Sequence, residues 1–351
     1  MNKKNIGIIK SNEYGNINGK EIKLALDDKE IEFYNERILK VNMSESDINK
    51  LKSIYSIREY GKLIKVINNE NFLEEFKKIK WENHIENPYY IEKIPAIPKI
   101  KYNRIKKDIN ILKTKDICDK IWFYLKDINF NPKVDLDNFK TKISFFVTKD
   151  YTAIIKNVKK GNQSFESRSN NNRPFRHPTT LKPKLARIVI NYLSIFNEDE
   201  ISIIDPFCGT GGFLLELCSL KKELNKKWNI YGNDIKEDMI DGSKKNLKHY
   251  GFSSKLFNQD TFNLDIKVDY LVSDIPYGKH SFTSDKMTEM IKRFIKWIRF
   301  HIEKKSCIVF PKKYQEEFEK ECNHFDMKIE ELDEIYVHGT LSRKIALISK
   351  N

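Results

Sequence analysis

The chain has 351 residues, of which 40% are hydrophobic and 32% charged, and its 64 lysines and arginines outnumber 50 acids for a formal net charge of +14. Such a chain is long enough for two or three domains with sizeable cores, and its basic balance favours an anionic partner once the charges cluster. Five cysteines (Cys118, Cys208, Cys218, Cys307, Cys322) lie far apart without a CxxC pair, so neither a zinc knuckle nor a disulfide framework is indicated and a reduced, cytoplasmic setting is the default. No metal site is expected, and neither a signal-peptide core nor a membrane-spanning apolar run is found.

Residues 1–66 read as a small α/β unit. IGIIK, EIEFYN, ILKVNM and REYGKLIKVI carry strand patterns, and SESDINKLKSIYS is a helix with Ser44 or Ser46 as N-cap. Residues 67–162 form a second unit with helices in NFLEEFKKIKW and TKDICDKIWFYLKDI and a hairpin in KISFFVTKDYTAIIKNV that turns near Lys149-Asp150. Between Lys99 and Lys115 there are seven basic residues and one acid. Lys101, Arg104, Lys106 and Lys107, interleaved with tyrosine and isoleucine, fit contact with a phosphate backbone, although for a charge run alone a solvated face is the more ordinary reading.

Residues 163–180 are a polar linker, and 181–351 a third domain. From Lys156 to Arg187 nine basic residues face one acid, and Arg173, Arg176, Lys182, Lys184 and Arg187 crowd the approach to the third domain's glycine loop. LKPKLARIVINYLSIF is a helix with Pro183 in its first turn. His177 has no acid or second ligand at a suitable spacing, so a structural or cofactor-lining place suits it better than that of a base.

ISIIDPFCGTGGFLLEL is a strand, a glycine loop and a helix, in which Gly209, Gly211 and Gly212 allow close approach of backbone N–H groups to a ligand. Asp234 ends the next apolar stretch 22 residues after Gly212, the spacing at which a carboxylate meets ribose hydroxyls in a doubly wound nucleotide site. The loop lacks the Lys-Ser/Thr of a phosphate binder, and Asp205 would repel a pyrophosphate. It suits a ligand with a cationic amino group and no phosphate, as in S-adenosylmethionine. Asp260 follows the third strand, where an acid can contact an adenine amine.

Asp274-Ile275-Pro276-Tyr277 follows the strand VDYLV and resembles the Asp/Asn-Pro-Pro-Tyr/Phe signature of methyltransferases that act on exocyclic amines of bases. Such an amine is a poor nucleophile because its lone pair is delocalised into the ring. A carboxylate (Asp274) and a carbonyl (Ile275) that accept its N–H groups turn the lone pair towards the donor. Pro276 biases Ile275 towards an extended backbone, and Tyr277 offers a ring for stacking. The chain then supplies a helix over 285–304, a strand in SCIVFPK, a helix in YQEEFEKEC and an antiparallel pair, IEELDEIYVH and KIALISK.

With these residues in view, the chain resembles the archaeal tRNA guanine-10 N2-methyltransferases. The resemblance rests on FESRSNNNRPFRHPTTLKPKLAR, DPFCGTGGFLLE, GNDIKEDMIDGSKKNLKHYG, SDIPYGKHS and YVHGTLSRKI, and only by pattern on the first half. It implies an α/β fold: a Rossmann-like class I methyltransferase domain, mostly parallel with an antiparallel C-terminal hairpin. An α+β ferredoxin-like domain (1–66) and a THUMP RNA-binding domain (67–162) would precede it. It further implies S-adenosylmethionine-dependent methylation of the 2-amino group of guanosine 10 in tRNA, once or twice, with the THUMP domain holding the acceptor end. Asp205, Gly209 and Gly211 would line the methionine part of the cofactor, Asp234 the ribose and Asp260 the adenine amine. His177, Cys208, Ile235 and Thr261 complete the expected cofactor set, and Asp274 with Tyr277 would hold the guanine. Ile275 departs from the first proline of the signature, and Arg176 from an aromatic residue common before His177. Guanosine 6 of tRNA, ribosomal RNA, adenine amines in DNA and a non-catalytic tRNA-binding protein remain as alternatives, as do a monomeric state and a small zinc-binding activator subunit.

Overall fold

The computed structural model describes residues 3–27, 30–96, 112–161, 164–178, 180–276, 284–338 and 341–351. The chain divides into two compact units, one formed by residues 1–13, 28–52 and 56–162 and the other by 14–27, 53–55 and 163–351. Lys101, Arg104, Lys106, Lys107 and Tyr277 lie outside the described residues.

The first unit is one seven-stranded sheet to which both of the expected N-terminal modules contribute. Its strands are β1 (Lys4–Lys10), β2 (Ile31–Phe33), β3 (Ile38–Met43), β4 (Ile57–Asn68), β5 (Tyr89–Pro95), β6 (Thr141–Val147) and β7 (Tyr151–Lys160), in the order β2-β3-β1-β4-β7-β6-β5. All neighbours are antiparallel except β5 and β6. The hairpin turns at Lys149-Asp150 because Thr148 Oγ1 both donates to the Tyr151 carbonyl and accepts its N–H. Helix α2 (Glu45–Ile48) starts at Ser44, whose Oγ accepts from the Asp47 N–H. Helices α3 (Phe72–Lys77) and α4 (Thr114–Asp127) cover part of the sheet, where Phe72, Phe76, Trp81 and Phe145 stack into an aromatic core.

The second unit is doubly wound. Strands β8 (Ser202–Asp205), β9 (Asn229–Asn233), β10 (Lys255–Phe257), β11 (Val268–Asp274) and β12 (Ile302–Pro311) run parallel, and β13 (Met327–His338) and β14 (Leu341–Lys350) form the antiparallel end, in the order β10-β9-β8-β11-β12-β14-β13. Helices α5 (Pro183–Asn191), α6 (Gly212–Leu224), α7 (Glu237–His249), α8 (Ser284–His301) and α9 (Gln315–His324) complete it. Strands such as β8 and β11 are buried on both faces over Ile203–Asp205 and Tyr270–Ser273, which is why II and YLV read as short continuous apolar runs there. The chain winds outward from β8 in both directions, so a crevice opens at the carboxyl ends of β8 and β11, where ligands bind in such sheets. Helix α1 (Asn16–Ala25) belongs to this unit and has no clear apolar period, because its buried face includes Asn18 and Glu21; Glu21 accepts from Asn191 Nδ2 at 2.6 Å.

Two of the basic residues expected at the approach to the fold are instead inside it. Arg187 is fully buried and pairs with Glu223 (2.9 Å) and with Glu216 (3.2 Å), while Arg168 forms a two-pronged pair with Glu216 at 2.6 and 2.9 Å. Arg173 is 1% exposed and donates to the Arg168 carbonyl, so it cannot meet an RNA phosphate. Arg176 is exposed, and Lys184 is half-buried with its ammonium over the Tyr55 ring. Among the described residues no helix is long and apolar enough to cross a membrane, and no group of three or more metal-ligating side chains occurs.

Burying charges is tolerable only when they are paired, and removing one partner strands the other. Glu216→Ala leaves Arg168 and Arg187 short of their shared carboxylate and is expected to cost about 3–5 kcal/mol of unfolding free energy. Urea denaturation checks this; a loss below about 1 kcal/mol would mean that Glu223 alone neutralises the cluster.

Candidate active site

The crevice is a cavity of about 1170 Å³ lined entirely by the second unit. Its floor begins at β8. Asp205 ends that strand at 2% exposure, and its Oδ1 accepts from Ser273 Oγ at 2.7 Å and from the Phe207 N–H at 3.2 Å. Burial pushes its carboxyl up to about 7. The two hydrogen bonds oppose that rise, and the neighbouring charges of Asp234 and Asp274 add to it.

The loop after β8 bends through two left-handed glycines, Gly209 (φ +51°) and Gly211 (φ +80°), a conformation other residues adopt at a cost. A Cβ at Gly209 would meet nothing within 4 Å, whereas one at Gly211 would press on Ser243 Oγ at 3.0 Å. Gly209 accordingly lines the cavity, and Gly211, the N-cap of α6, does not. Asp234 ties the loop to the end of β9: its Oδ2 accepts from the Gly209 N–H at 2.9 Å and its Oδ1 from the Lys236 N–H at 2.9 Å. Ser243 Oγ donates to the Gly209 carbonyl at 2.7 Å from the other side.

Two buried asparagines that the sequence did not single out fix this loop from behind. Asn233 donates to the carbonyls of Pro206 and Gln259 and to Thr261 Oγ1, and Thr261 Oγ1 donates to the Pro206 carbonyl at 2.7 Å. Asn246 donates to the carbonyls of Thr210 and Phe175. Both were hidden because an asparagine inside a strand end or a helix has no spacing signature of its own.

The far wall holds Ile235, a 67% exposed apolar side chain, with Asp260 and Thr261. Asp260 accepts from the Phe262 N–H at 3.0 Å, as an ordinary turn aspartate does, while still lining the cavity. His177 lines it too; its backbone is held by Asn170, and its carbonyl accepts from the Thr180 N–H. Cys208 is buried and its thiol is pushed well above the usual range by burial, so it can line a ligand but not attack one.

The opposite wall is the end of β11. Asp274 lines the cavity, and its Oδ2 accepts from Arg343 Nη1 at 2.9 Å. Its Oδ1 is buried with no hydrogen-bond partner among the described residues. Burial raises this carboxyl to about 6, against the lowering effect of Arg343. Ile275 is fully buried in the apolar cluster under the cavity, and its N–H, which a proline would lack, donates to the Val309 carbonyl. Pro276 lines the cavity beside it, together with Lys286, Glu289 and Arg293 of α8. Arg293 lies 4.0 Å over the Phe262 ring. Sequence patterns had singled out none of Arg343, Lys286 and Arg293, Arg343 because GTLSR reads as a turn between strands.

The donor set fits an adenosine ligand bearing an amino acid rather than a dinucleotide. Two carboxylates face the cavity from the ends of β8 and β9, an exposed isoleucine offers a flat apolar wall, and the glycine loop comes within reach without a lysine for phosphate.

A doubly wound sheet with this strand order and an acid-tipped cavity defines a class I methyltransferase. The description "RMKL-like, methyltransferase domain" matches residues 170–345, and the chain belongs to that family. Among curated proteins it is 26% identical over 225 residues to a tRNA (guanine(10)-N2)-dimethyltransferase of Methanothermobacter thermautotrophicus, covering 62% of this chain and 60% of that one. Proteins of the same description from Methanocaldococcus jannaschii (29% over 237 residues, 63% and 61%) and Pyrococcus abyssi (32% over 163 residues, 42% and 44%) are also similar. The chain thus matches less than two thirds of the length of these relatives. The fold is shared by TrmN from Thermus thermophilus, at 11% identity and a TM-score of 0.51 over 99% of both chains. It is shared as well by a possible methylase from Clostridium difficile, at 16% identity and a TM-score of 0.51 over 99% and 98%.

The raised carboxyl of Asp205 has a signed consequence. A buried acid whose folded pKa lies above its unfolded value favours folding in its neutral form, a contribution present below about pH 4 and lost as pH rises through about 7. Asp205→Asn keeps an acceptor for Ser273 and cannot ionise. It is therefore expected to gain stability relative to wild type between pH 4.5 and 7.5, measured by urea midpoints at both values. A constant difference would place the ionised carboxylate in a better-solvated setting.

Proposed function

We propose that the chain transfers a methyl group from S-adenosylmethionine to the exocyclic 2-amino group of guanosine 10 in tRNA. The observation that carries this reading is the buried, unpartnered Oδ1 of Asp274 beside the acid-tipped nucleotide cavity. A buried acceptor without a donor is costly and usually has a donor to receive, which an amino N–H would be. The curated relatives are named for that reaction.

Asp234 would hold the ribose hydroxyls, Asp260 the adenine amine, and Asp205 the ammonium of the amino-acid portion. The bound cofactor supplies an electrophilic methyl group. Asp274 Oδ1 and the Ile275 carbonyl accept the two N–H bonds of the guanine amine and turn its lone pair out of conjugation. With a carboxyl midpoint near 6, Asp274 is ionised at neutral pH and can take the proton that the amine releases. Rate then comes from positioning and from the fixed charges around the reacting nitrogen. Cys208 and His177 act as walls.

The RNA would be held by the first unit, read as a ferredoxin-like and THUMP module (1–66 and 67–162) that reaches the catalytic domain (181–351) through residues 163–180. Rings at the surface of that unit favour this: Phe123 is 64% exposed, Lys126 lies over the half-buried Trp122 and Lys142 over the half-buried Tyr90, and Tyr90 packs on the exposed Phe139. Rings flanked by lysines suit unpaired nucleotides. Lys101, Arg104, Lys106, Lys107, Arg176 and Lys184 extend the basic set, and the cytoplasm is the setting that fits such a substrate.

Labelled S-adenosylmethionine incubated with unmodified tRNA transcripts, followed by mapping of the modified nucleotide, tests this directly. Label is expected on the N2 of guanosine 10 in wild type, with Asp274→Ala reducing turnover by roughly 10²–10³-fold while cofactor affinity holds. Label at another nucleotide redirects the substrate, and near wild-type turnover in Asp274→Ala removes that side chain from the amine.

A further inference from the structure

Asp274 and Arg343 meet across a strand. Asp274 is in register with Val309 of β12, and Arg343 with Pro311 of the same strand from its other edge, so the guanidinium reaches over β12 to the carboxylate. Both side chains are mostly buried, at 19% and 14% exposure, and both line the cavity. The contact is one-pronged: Nη1 donates to Oδ2 at 2.9 Å, and Oδ1 is left without a partner. An arginine that served only to neutralise a buried acid would gain most by the two-pronged fork that matches its geometry to a carboxylate. Arg168 makes that fork with Glu216 in this same unit.

From this contrast we infer that Arg343 is a positioning residue: it holds one oxygen of Asp274, fixes the plane of the carboxylate and presents the other oxygen alone to the amine that is methylated. The identity of that amine rests on the proposed function; the hold of Arg343 on Asp274 does not. With Oδ2 occupied, Asp274 can accept only one N–H through a fixed direction. A carboxylate free to rotate would present either oxygen at many angles, and small losses of alignment at the reacting nitrogen slow transfer steeply.

Arg343 also supplies charge. Among the described residues, the other charged groups that line the same cavity are Asp205, Asp234, Lys236 and Asp260 on one side and Lys286, Glu289 and Arg293 of α8 on the other. Among the described residues Arg343 is the cation at hydrogen-bond distance, and it opposes the rise that burial imposes on the Asp274 carboxyl. Without Arg343 the carboxyl midpoint moves further up, so less of it is ionised at neutral pH and the acid limb of activity moves to higher pH.

The test uses the full chain as wild type, Arg343→Gln and Arg343→Lys. Arg343→Gln is expected to lower kcat at pH 7 by about 10- to 100-fold with little change in KM for RNA or in affinity for S-adenosylhomocysteine, and to move the acid limb up by about one pH unit. Arg343→Lys should restore the limb, because charge returns, but not the full kcat, because the shorter, unbranched side chain does not bring its donor to Oδ2 from the same direction. A merely structural role would lower folded protein and cofactor binding and leave the limb in place. Carbon-13 titration of the Asp274 carboxyl in the free protein, assigned with Asp274→Asn, reads the hold without any substrate. If its midpoint is unmoved in Arg343→Gln, the inference is overturned even where wild type methylates guanosine. If the midpoint rises while wild type methylates no guanosine amine, the substrate reading fails and the role of Arg343 stands. Should Arg343→Gln not fold, the limb and kcat of Arg343→Lys decide, and a variant equal to wild type in both overturns it.

Discussion

Three carboxylates crowded at the carboxyl ends of neighbouring parallel strands set the terms for this molecule. Asp205 and Asp274 end adjacent strands, β8 and β11, and Asp234 comes directly after β9 on the other side of β8. Burial makes Asp205 and Asp274 resist ionisation, and at Asp205 the charges of the other two add to that resistance. The fold answers each differently. Ser273 and the Phe207 N–H bind Asp205, the Gly209 and Lys236 N–H groups bind Asp234, and Arg343 binds one side of Asp274. None of these partners except Arg343 is a cation, so Asp205 and Asp234, when ionised, keep the capacity to face a positively charged group.

The same constraint accounts for the glycine loop. Asp234 can reach the Gly209 N–H only because the loop turns through left-handed backbone there, and the turn is locked by Ser243, Asn233 and Asn246. What looks like a flexible, glycine-rich segment is tied by side chains from β9 and α7. Close approach to a ligand is therefore built in before anything binds, which spares the ordering that a loose loop would need on binding.

Much of the catalytic domain was legible because its strands are covered on both faces and end in acids or glycines. Runs such as ISIID and VDYLVSD announce a buried parallel strand and its tip in one stretch. The antiparallel hairpin at the end was equally plain. What sequence could not resolve was which charges are buried. Arg173 and Arg187 sit in a basic run that looks like any solvated face, and the acids that receive Arg187, Glu216 and Glu223, lie on a helix some thirty residues further on. Helix α1 was missed because its inner face contains Asn18, which accepts from the Tyr14 N–H, and Glu21, which accepts from Asn191, and both break the apolar period. Arg343 was missed since nothing in a turn sequence tells which way an arginine at its end will reach.

None of this chemistry can occur unless the cavity holds an adenosine ligand with an amino-acid tail. Calorimetric titration of S-adenosylhomocysteine into the full chain measures that most directly. One molecule per chain is expected, bound more tightly as pH rises from 6 to 8 because Asp205 must ionise to face the ammonium, and bound weakly or not at all by Asp234→Ala. Absence of binding across that range, with tRNA present as well as without it, would contradict the central claim.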